Sequence, residues 1–332
     1  MHTSFAIPER VTSMVREPGA AREPSHGELS VRIGLCGTGN MGAAIGARLM
    51  EKRHKLTVWN RTTRRTKILT NEGAARVSTP AELFYENQVV INITIDDKAV
   101  KTVYEGRDGL FSGNLKGKLI IEMSTLLPET TRRLEERVRA AGGAFVECPV
   151  GGSIVPARSG NLIGMAGSTP AAFKRARPIL DQLCRRLDRV GTVGAGNTMK
   201  LAINLPLLAY WEALGEAISL TETAGIKRAL AADILADSSG AAKVGPARLP
   251  WIMDAIGGKF PKSTSFQMSG GAKDATQMVA LARANGFEVP VIDATRKSYK
   301  QAATGIWAHR DFALLSAWRV LKSNKRKTEN GR

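Results

Sequence analysis

The stretch that decides the fold runs from Val31 to Gly46 and reads VRIGLCGTGNMGAAIG. It predicts a short apolar strand, a turn with glycines at Gly37, Gly39 and Gly42, and a helix of small residues. In the spacing G-x-G-x-x-G the first glycine permits a tight turn, the second lets backbone approach a pyrophosphate, and the third lets helix and strand pack closely. The N-terminus of the helix then offers N–H groups and the positive end of its dipole to phosphates.

The surroundings of this turn separate a dinucleotide site from a purely structural glycine-rich turn. A second strand is predicted at Lys55–Trp59, where a βαβ unit needs one, so the dinucleotide-binding interpretation is favoured. The residues predicted to bind the cofactor through this turn are Gly37, Thr38, Gly39, Asn40, Met41 and Gly42.

The residues that follow the second strand bear on the choice between NAD and NADP. In NAD-specific folds an Asp or Glu about 20 residues past the glycines binds the ribose 2′-hydroxyl group. Asn60 stands at this position, followed by Arg61 and Thr62. An uncharged residue does not repel a 2′-phosphate, while Arg61 offers it a guanidinium and Thr62 a hydroxyl. We therefore predict that these three residues bind the cofactor and that NADP is preferred over NAD.

Length and composition bound the class of protein. A chain of 332 residues exceeds what one hydrophobic core usually serves, so two domains are expected. The net charge of +18 admits nucleic acid as a partner, but lysines and arginines share their predicted helices with glutamates, which favours solvated helix faces. Cys36, Cys148 and Cys184 stand isolated, which argues against a disulfide framework or a metal site and for a reducing, cytoplasmic environment.

The order of the predicted elements indicates the fold class. Strand and helix patterns alternate up to about residue 195, and helical patterns alone follow. We predict an α/β fold, with an N-terminal Rossmann-type, doubly wound, mostly parallel sheet and an all-α C-terminal domain. The predicted parts are a disordered extension (1–30), an NAD(P)-binding domain (31–194), a helical domain (195–321) and a basic disordered tail (322–332). The last strand is predicted to begin at Arg189, and a helix to run from Trp307 to Val320.

Lys200 and Asn204 are the residues best suited to acid–base chemistry. They lie four positions apart on a predicted apolar helix, so their side chains project from one face. A partly desolvated ammonium has a lowered pKa, and reduction of a carbonyl by a nicotinamide needs a proton donor at the carbonyl oxygen. The alternative is that Lys200 merely extends its amine from an otherwise buried helix into water.

Other polar groups are predicted near strand ends and a helix start. Ser124 offers a hydroxyl and the Gly151–Gly152 pair offers backbone N–H groups, which suits a small carboxylate. Asp274 stands at a predicted helix start and is interpreted as a helix cap. Its neighbour Lys273 is either an exposed cation or a group that reaches the cofactor.

Several sequence blocks occur in the order typical of one family: Gly37–Gly42, Asn60–Thr62, Ser124–Pro128, Pro149–Gly152, Met165–Gly167, Gly191–Asn204 and Lys273–Asp274. Through them the chain resembles the β-hydroxyacid dehydrogenases. The resemblance implies metal-free hydride transfer, a small carboxylate substrate and a helical domain used in dimerisation. It also implies that Lys200 is the general acid/base and Asn204 its helper. The substrate ligands it implies are Ser124, Gly151 and Gly152, and the further cofactor contacts are Thr94, Ile95, Thr125 and Lys273.

This sequence departs from the family pattern at two places. The substrate loop usually reads Pro-Val-Ser-Gly-Gly, whereas Gly151 here occupies the serine position, Ser153 the last glycine and Pro156 a further glycine. One hydroxyl donor to the substrate is thereby removed or displaced, which leaves the substrate open. The loop Thr94–Asp97 reads Thr-Ile-Asp-Asp where Leu-Pro-Asp is commoner, and we expect it to pack differently against the cofactor.

The predicted function is an NADP-preferring interconversion of a small hydroxyacid and its semialdehyde or oxo acid, of the 3-hydroxyisobutyrate dehydrogenase or 2-hydroxy-3-oxopropionate reductase type. An imine reductase on the same fold is the first alternative, although such reductases typically lack the lysine at position 200. A non-enzymatic nucleic-acid-binding protein is the second alternative, suggested by the net charge. We expect a homodimer or homotetramer that does not bind membranes.

Overall fold

Strands and helices alternate through the first half of the molecule, as the sequence pattern predicts. The computed structural model describes residues 30–223, 225–238, 244–284, 286 and 288–330. The predicted extension over residues 1–30 lies outside the described residues, apart from its last position. The strands are β1 (Arg32–Cys36), β2 (Lys55–Trp59), β3 (Ala75–Arg76), β4 (Val89–Asn92), β5 (Leu119–Glu122), β6 (Ala144–Glu147), β7 (Val150–Gly151), β8 (Leu162–Ser168) and β9 (Cys184–Gly191).

The helices fall into a set between the strands and a set that follows them. The first set is α1 (Asn40–Glu51), α2 (Lys67–Thr70), α3 (Leu83–Glu86), α4 (Asp97–Glu105), α5 (Pro128–Ala140), α6 (Ile154–Arg158) and α7 (Pro170–Leu180). The second set is α8 (Ala195–Thr223), α9 (Arg228–Asp237), α10 (Gly245–Ile256), α11 (Met268–Ala284), α12 (Pro290–Ala302) and α13 (Leu315–Asn330). Short 3₁₀ turns lie between some of them, at Thr63–Thr66, Leu110–Ser112, Gly305–His309 and Phe312–Leu314.

The strands of the described residues form one sheet of nine, in the order β3-β2-β1-β4-β5-β6-β8-β7, with β9 beside β8. Strands β1 to β6 are all parallel, β8 is antiparallel to β6 and β7, and β9 is parallel to β8. The predicted fold class is therefore confirmed. The strand order reverses between β1 and β4, and in such sheets ligands bind outside the carboxyl ends of the strands at the reversal.

Separate hydrophobic clusters support the sheet and the helical part. Ile33 belongs to the cluster on one face of the sheet and Val90 to the cluster on the other. Trp211 of α8 and Tyr299 of α12 are fully buried in a third cluster among the helices. The residues from Val31 onward nevertheless form one compact unit, because α8 also packs against β8 and β9. Within the described ranges, no helix combines the length and apolar character needed to cross a bilayer.

The last strand begins earlier than predicted. β9 starts at Cys184 rather than Arg189, and its sequence CRRLDRVG places charged side chains on an edge strand that is exposed over much of its length. Such a strand lacks the apolar alternation by which a half-buried strand is recognised in a sequence, because its charges blunt an exposed sheet edge.

The C-terminal region also differs from the prediction. The helix predicted from Trp307 to Val320 is two 3₁₀ turns followed by α13, because Asp311 pairs with Gln267 in a β-bridge and interrupts the helix. The tail predicted to be disordered from Lys322 continues α13 as a helix to Asn330. Lys322 begins this part with contacts to the Trp318 ring and the Gln301 side chain, which tie it to the folded helices.

Candidate active site

Two of the three glycines of the turn are packed against backbone atoms, and the third faces open space. Gly37 has a φ of +100° and donates its N–H to the carbonyl of Trp59 at 2.9 Å. A Cβ atom at Gly37 would collide with the carbonyl oxygen of Ile93, and one at Gly42 would collide with the carbonyl oxygen of Gly37. A Cβ atom at Gly39 would meet nothing within 4 Å. The turn therefore presents open space above Gly39, at the start of α1.

Asn60 links this turn to the end of β2. Its Oδ1 accepts the N–H of Thr38 at 3.0 Å, and its Nδ2 donates to the carbonyl of Thr62 at 3.0 Å. Arg61 and Thr62 are exposed beside it. The hydroxyl oxygen of Thr38 is buried and has no hydrogen-bond partner among the described residues. An open cradle and an unused buried hydroxyl fit a bound dinucleotide.

Asn40 and Met41, which are also predicted to bind the cofactor, have different surroundings. Asn40 is the first residue of α1, and its Nδ2 donates to the carbonyl of Thr264 at 3.4 Å. Met41 is partly buried and packs against the core beneath the sheet. Asn40 thus connects the cofactor turn to the helical part, whereas Met41 supports the turn from below.

The loops after β4 and β5 meet, as their places at neighbouring strand ends predict. The Thr94 N–H donates to Ser124 Oγ at 2.8 Å, and the two hydroxyl oxygens lie 3.3 Å apart. Beneath them the buried Glu122 accepts the N–H of Ser124 at 2.9 Å, and also hydrogen bonds from Asn92 and Tyr104. Burial raises the pKa of Glu122, although these hydrogen bonds oppose the rise. Sequence reasoning missed this carboxyl group as a support of Ser124.

Lys200 and Asn204 lie on one face of α8 and are hydrogen-bonded to each other. Lys200 Nζ donates to Asn204 Oδ1 at 3.0 Å, and Asn204 Nδ2 donates to Asp274 Oδ2 at 3.1 Å. Burial lowers the pKa of Lys200 to about 8, the nearby charge of Asp274 opposes this, and Lys273 adds to it. The interpretation of Lys200 as an amine extended into water does not fit this arrangement.

Lys273 ties α11 to the two strand-end loops. Its Nζ forms an ion pair with Asp274 Oδ1 at 2.9 Å and donates to the carbonyls of Ile95 at 3.0 Å and Thr125 at 3.1 Å. One cluster of polar groups thus contains the Lys273 amine, the backbone carbonyls of Ile95 and Thr125, and the Lys200–Asn204 pair. Ile95 is exposed and Thr125 is half-buried, so their atoms border the crevice.

Asp274 contacts both Asn204 and Lys273, which the sequence did not indicate. The interpretation as a helix cap was wrong, because α11 begins six residues earlier at Met268 and Asp274 is buried within it. Its carboxylate orients the Asn204 amide, so that the amide oxygen faces Lys200. A charged residue inside a helix, four positions after Gly270, was the signal available in the sequence.

The first glycine of the predicted substrate loop lies against the helix that carries Lys200. Gly151 is the buried last residue of β7, and its pairing with Ile163 of β8 uses the backbone N–H that was predicted to bind the substrate. A Cβ atom at Gly151 would lie 3.4 Å from Ile203 Cδ1, so the loop passes α8 within one turn of Lys200. Gly152 is exposed. Ser153 precedes α6 and makes no capping hydrogen bond with its side chain. No group of His, Cys, Asp or Glu residues suited to a metal ion occurs in the part of the chain that the structure describes.

Family comparisons agree with this geometry. A family model described as the NAD binding domain of 6-phosphogluconate dehydrogenase matches residues 32–194. A second, described as NAD-binding of NADP-dependent 3-hydroxyisobutyrate dehydrogenase, matches residues 194–318. The chain belongs to the β-hydroxyacid dehydrogenase family. The resemblance seen in the motif blocks is confirmed, and this β-hydroxyacid dehydrogenase is an NAD(P)-dependent oxidoreductase that acts on CH–OH groups.

Individual relatives of this β-hydroxyacid dehydrogenase match between about two thirds and most of the chain. Glyoxylate/succinic semialdehyde reductase 1 of Arabidopsis thaliana is 31% identical over 288 residues, which are 86% of this chain and 97% of the relative. The 3-hydroxyisobutyrate dehydrogenase of Pseudomonas aeruginosa is 30% identical over 208 residues, 63% of this chain and 70% of the relative. The crystal structure of 3-hydroxyisobutyrate dehydrogenase from Salmonella typhimurium shares the fold, with a TM-score of 0.78, 21% identity, and coverage of 86% of this chain and 99% of that one.

Alanine at Gly39 and at Gly42 should act on different properties. Gly42→Ala forces its methyl group onto the Gly37 carbonyl and should lower the free energy of unfolding by about 1–3 kcal/mol. Gly39→Ala has open space and should lower it by less than about 1 kcal/mol, because its φ of −67° suits alanine. It should nevertheless weaken NADPH binding roughly 10- to 100-fold, because the methyl group occupies the approach to the pyrophosphate.

Urea unfolding of the cofactor-free protein and a fluorescence titration with NADPH measure these two effects. The assignment of Gly39 to the cofactor is contradicted if Gly39→Ala binds NADPH like the wild type.

Proposed function

We propose that this β-hydroxyacid dehydrogenase interconverts a small hydroxyacid and its semialdehyde or oxo acid, with NADP preferred over NAD. The observation that carries the proposal is the Lys200 amine, which is held by Asn204 and has a pKa lowered to about 8 beside the strand ends that face the crevice. The relative named glyoxylate/succinic semialdehyde reductase 1 supports small aldehydes that bear a carboxylate. Cytoplasmic localisation and assembly as a homodimer or homotetramer stay predictions from the sequence.

The residues of the site divide the proposed reaction between them. When bound, the nicotinamide supplies the hydride that reduces the carbonyl carbon. Lys200, as an ammonium, donates a proton to the carbonyl oxygen that becomes the hydroxyl, and as a neutral amine it accepts that proton in the reverse direction. Asn204 holds the amine in place, and Asp274 fixes the amide so that its oxygen faces Lys200.

The carboxylate of the substrate has its own set of ligands in this proposal. Ser124 offers its hydroxyl, and Gly152, which is exposed just after β7, offers a backbone N–H. Gly151 places Gly152 beside α8, because it is buried at the end of β7 and paired there with Ile163 of β8. With glycine at position 151, this loop leaves room that a serine hydroxymethyl group would occupy. We therefore expect aldehydes with a longer or substituted chain between the carbonyl and the carboxylate to fit beside glyoxylate.

The proposal is tested by a panel of carbonyl substrates with both cofactors. Glyoxylate, succinic semialdehyde, tartronate semialdehyde and a cyclic imine are each assayed by nicotinamide absorbance, with wild-type protein and Lys200→Ala. We expect turnover of at least one carboxylate-bearing aldehyde and a loss of about 10²- to 10⁴-fold in Lys200→Ala, with NADPH affinity retained. Turnover of the imine alone, undiminished by Lys200→Ala, would refute the assignment.

The pH dependence should report the Lys200 amine. For reduction the ammonium is the active form, so kcat/KM should fall as pH rises through about 8; for oxidation the neutral amine is active, so kcat/KM should rise through the same pH. Lys200→Arg should remove both inflections, because a guanidinium stays protonated across this range. Inflections that persist near the same pH in Lys200→Arg would show that another group titrates.

The preference for NADP should depend on Arg61. Arg61→Ala should lower the ratio of kcat/KM with NADPH to that with NADH about 10- to 100-fold, because a hydrogen bond to a charged group contributes about 1.5–3 kcal/mol. Lys55→Ala is the matched control, since it removes an exposed cation from the opposite end of β2. Equal effects of the two substitutions would mean that net charge, and not a 2′-phosphate contact, sets the preference.

A further inference from the structure

A buried carboxylate from the sheet holds the start of the helix that carries Lys200. Glu147 is the last residue of β6 and is fully buried. Its Oε1 accepts the backbone N–H groups of Gly194 at 2.5 Å and Gly196 at 2.8 Å, and its Oε2 accepts Asn197 Nδ2 at 2.9 Å. Gly194 and Gly196 have no side chains with which to cap α8, so the cap comes from a strand 47 positions earlier in the chain.

Asn197 connects the start of α8 to a second loop of the site. It is fully buried on the first turn of α8, and its Oδ1 accepts the backbone N–H of Leu126 at 2.8 Å. Leu126 stands two residues after Ser124, and Asn197 stands three residues before Lys200 on the same helix. One amide side chain therefore spans the distance between the loop of Ser124 and the helix of Lys200.

Glu147 also begins the third segment of the site. The residues after it lead through β7 directly to Gly152, a proposed ligand of the substrate carboxylate. The substrate loop, the Ser124 loop and the Lys200 helix thus meet at one pair of side chains, those of Glu147 and Asn197. The neighbouring backbone is closely packed, since a Cβ atom at Gly196 would collide with the carbonyl oxygen of Met165.

We propose that Glu147 and Asn197 are positioning residues, which set the placement of the Lys200 amine relative to the two segments that hold the substrate carboxylate. This inference rests on the proposed role of Lys200 as the proton donor. Neither side chain touches the reacting atoms, so its effect is on the alignment of groups that do. Displacement of a catalytic group by about 1 Å can lower the rate on the order of 10²-fold.

The donors and acceptors of these hydrogen bonds allow the acid at position 147 and the amide at position 197 to be exchanged as a pair. In Glu147→Gln the new amide group faces the Asn197 amide, donor against donor, and in Asn197→Asp two carboxylates face each other. In the double variant, the oxygen of the introduced glutamine accepts the two backbone N–H groups, and the amide nitrogen of that glutamine donates to the introduced aspartate. The second oxygen of the aspartate then accepts the Leu126 N–H, so the bonds of this pair to each other, to the start of α8 and to Leu126 are restored at the same net charge.

The experiment compares kcat of the wild type, Glu147→Gln, Asn197→Asp and the double variant. For each protein, kcat is calculated from the concentration of NADPH-binding sites. We expect each single variant to lose kcat on the order of 10²-fold with unchanged NADPH affinity, and the double variant to return to within about tenfold of the wild type. Thr169→Ala is the control for a purely structural loss. It removes the side-chain cap of α7, a helix that carries none of the proposed site residues, and should lower thermal stability without lowering kcat.

Hydrogen exchange at the Leu126 amide separates this inference from the proposed function. Exchange should be faster in the single variants and slow again in the double variant, whatever the substrate is. Unchanged exchange in Glu147→Gln, or wild-type kcat in both single variants, would overturn the inference. If the single variants do not fold, a folded double variant that binds NADPH but keeps a low kcat would overturn it as well. A wild-type protein that is inactive on every aldehyde contradicts the proposed function and leaves the exchange result to decide the inference.

Discussion

The site depends on the alignment of the parallel strands, whose carboxyl ends lie side by side at one edge of the sheet. Cys36, Asn92, Glu122 and Glu147 are consecutive neighbours across β1, β4, β5 and β6, each the last residue of its strand. The loops that follow must emerge side by side at one edge of the sheet, which brings the glycine turn, Thr94, Ser124 and the substrate loop together. Desolvation raises the pKa values of the two buried carboxyl groups in this row, and hydrogen bonds from neighbouring backbone and side chains offset that cost.

The helical part completes the site through a series of polar contacts that returns to the sheet. Lys200 bonds Asn204, Asn204 bonds Asp274, and Lys273 beside Asp274 reaches the carbonyls of the loops after β4 and β5. A second connection, between Asp97 and Gln277 at 2.5 Å, joins α4 to α11 one turn further along. The sheet and the helical part, each with its own hydrophobic core, are thereby held together at several points around the crevice. Lys200 is therefore partly desolvated but keeps its hydrogen-bond partners.

Much of this organisation could be predicted because it rests on local patterns. The glycine spacing, the strand at Lys55–Trp59 and the i, i+4 pair of Lys200 and Asn204 are readable in short windows of sequence. The partners of those residues were not readable, because Asp274 lies 70 positions from Asn204 and its neighbouring glycines suggested a helix start. Glu122 and Glu147 looked like ordinary strand ends, since nothing local shows that a carboxylate accepts N–H groups from a distant turn or helix. The start of the edge strand β9 was placed five residues too late, because its charged sequence lacks apolar alternation, and the interruption at Asp311 depends on a bridge to the distant Gln267.

The amide of Asn60 serves two parts of the turn at once, because its oxygen accepts and its nitrogen donates. Its Oδ1 accepts the Thr38 N–H, and its Nδ2 donates to the carbonyl of Thr62. An aspartate at that position still offers an acceptor to the Thr38 N–H, but it places its second carboxylate oxygen against the Thr62 carbonyl, acceptor against acceptor. Replacement of this one residue therefore also disturbs the loop after β2, so a change of coenzyme in this scaffold needs a compensating substitution among the residues that follow Asn60.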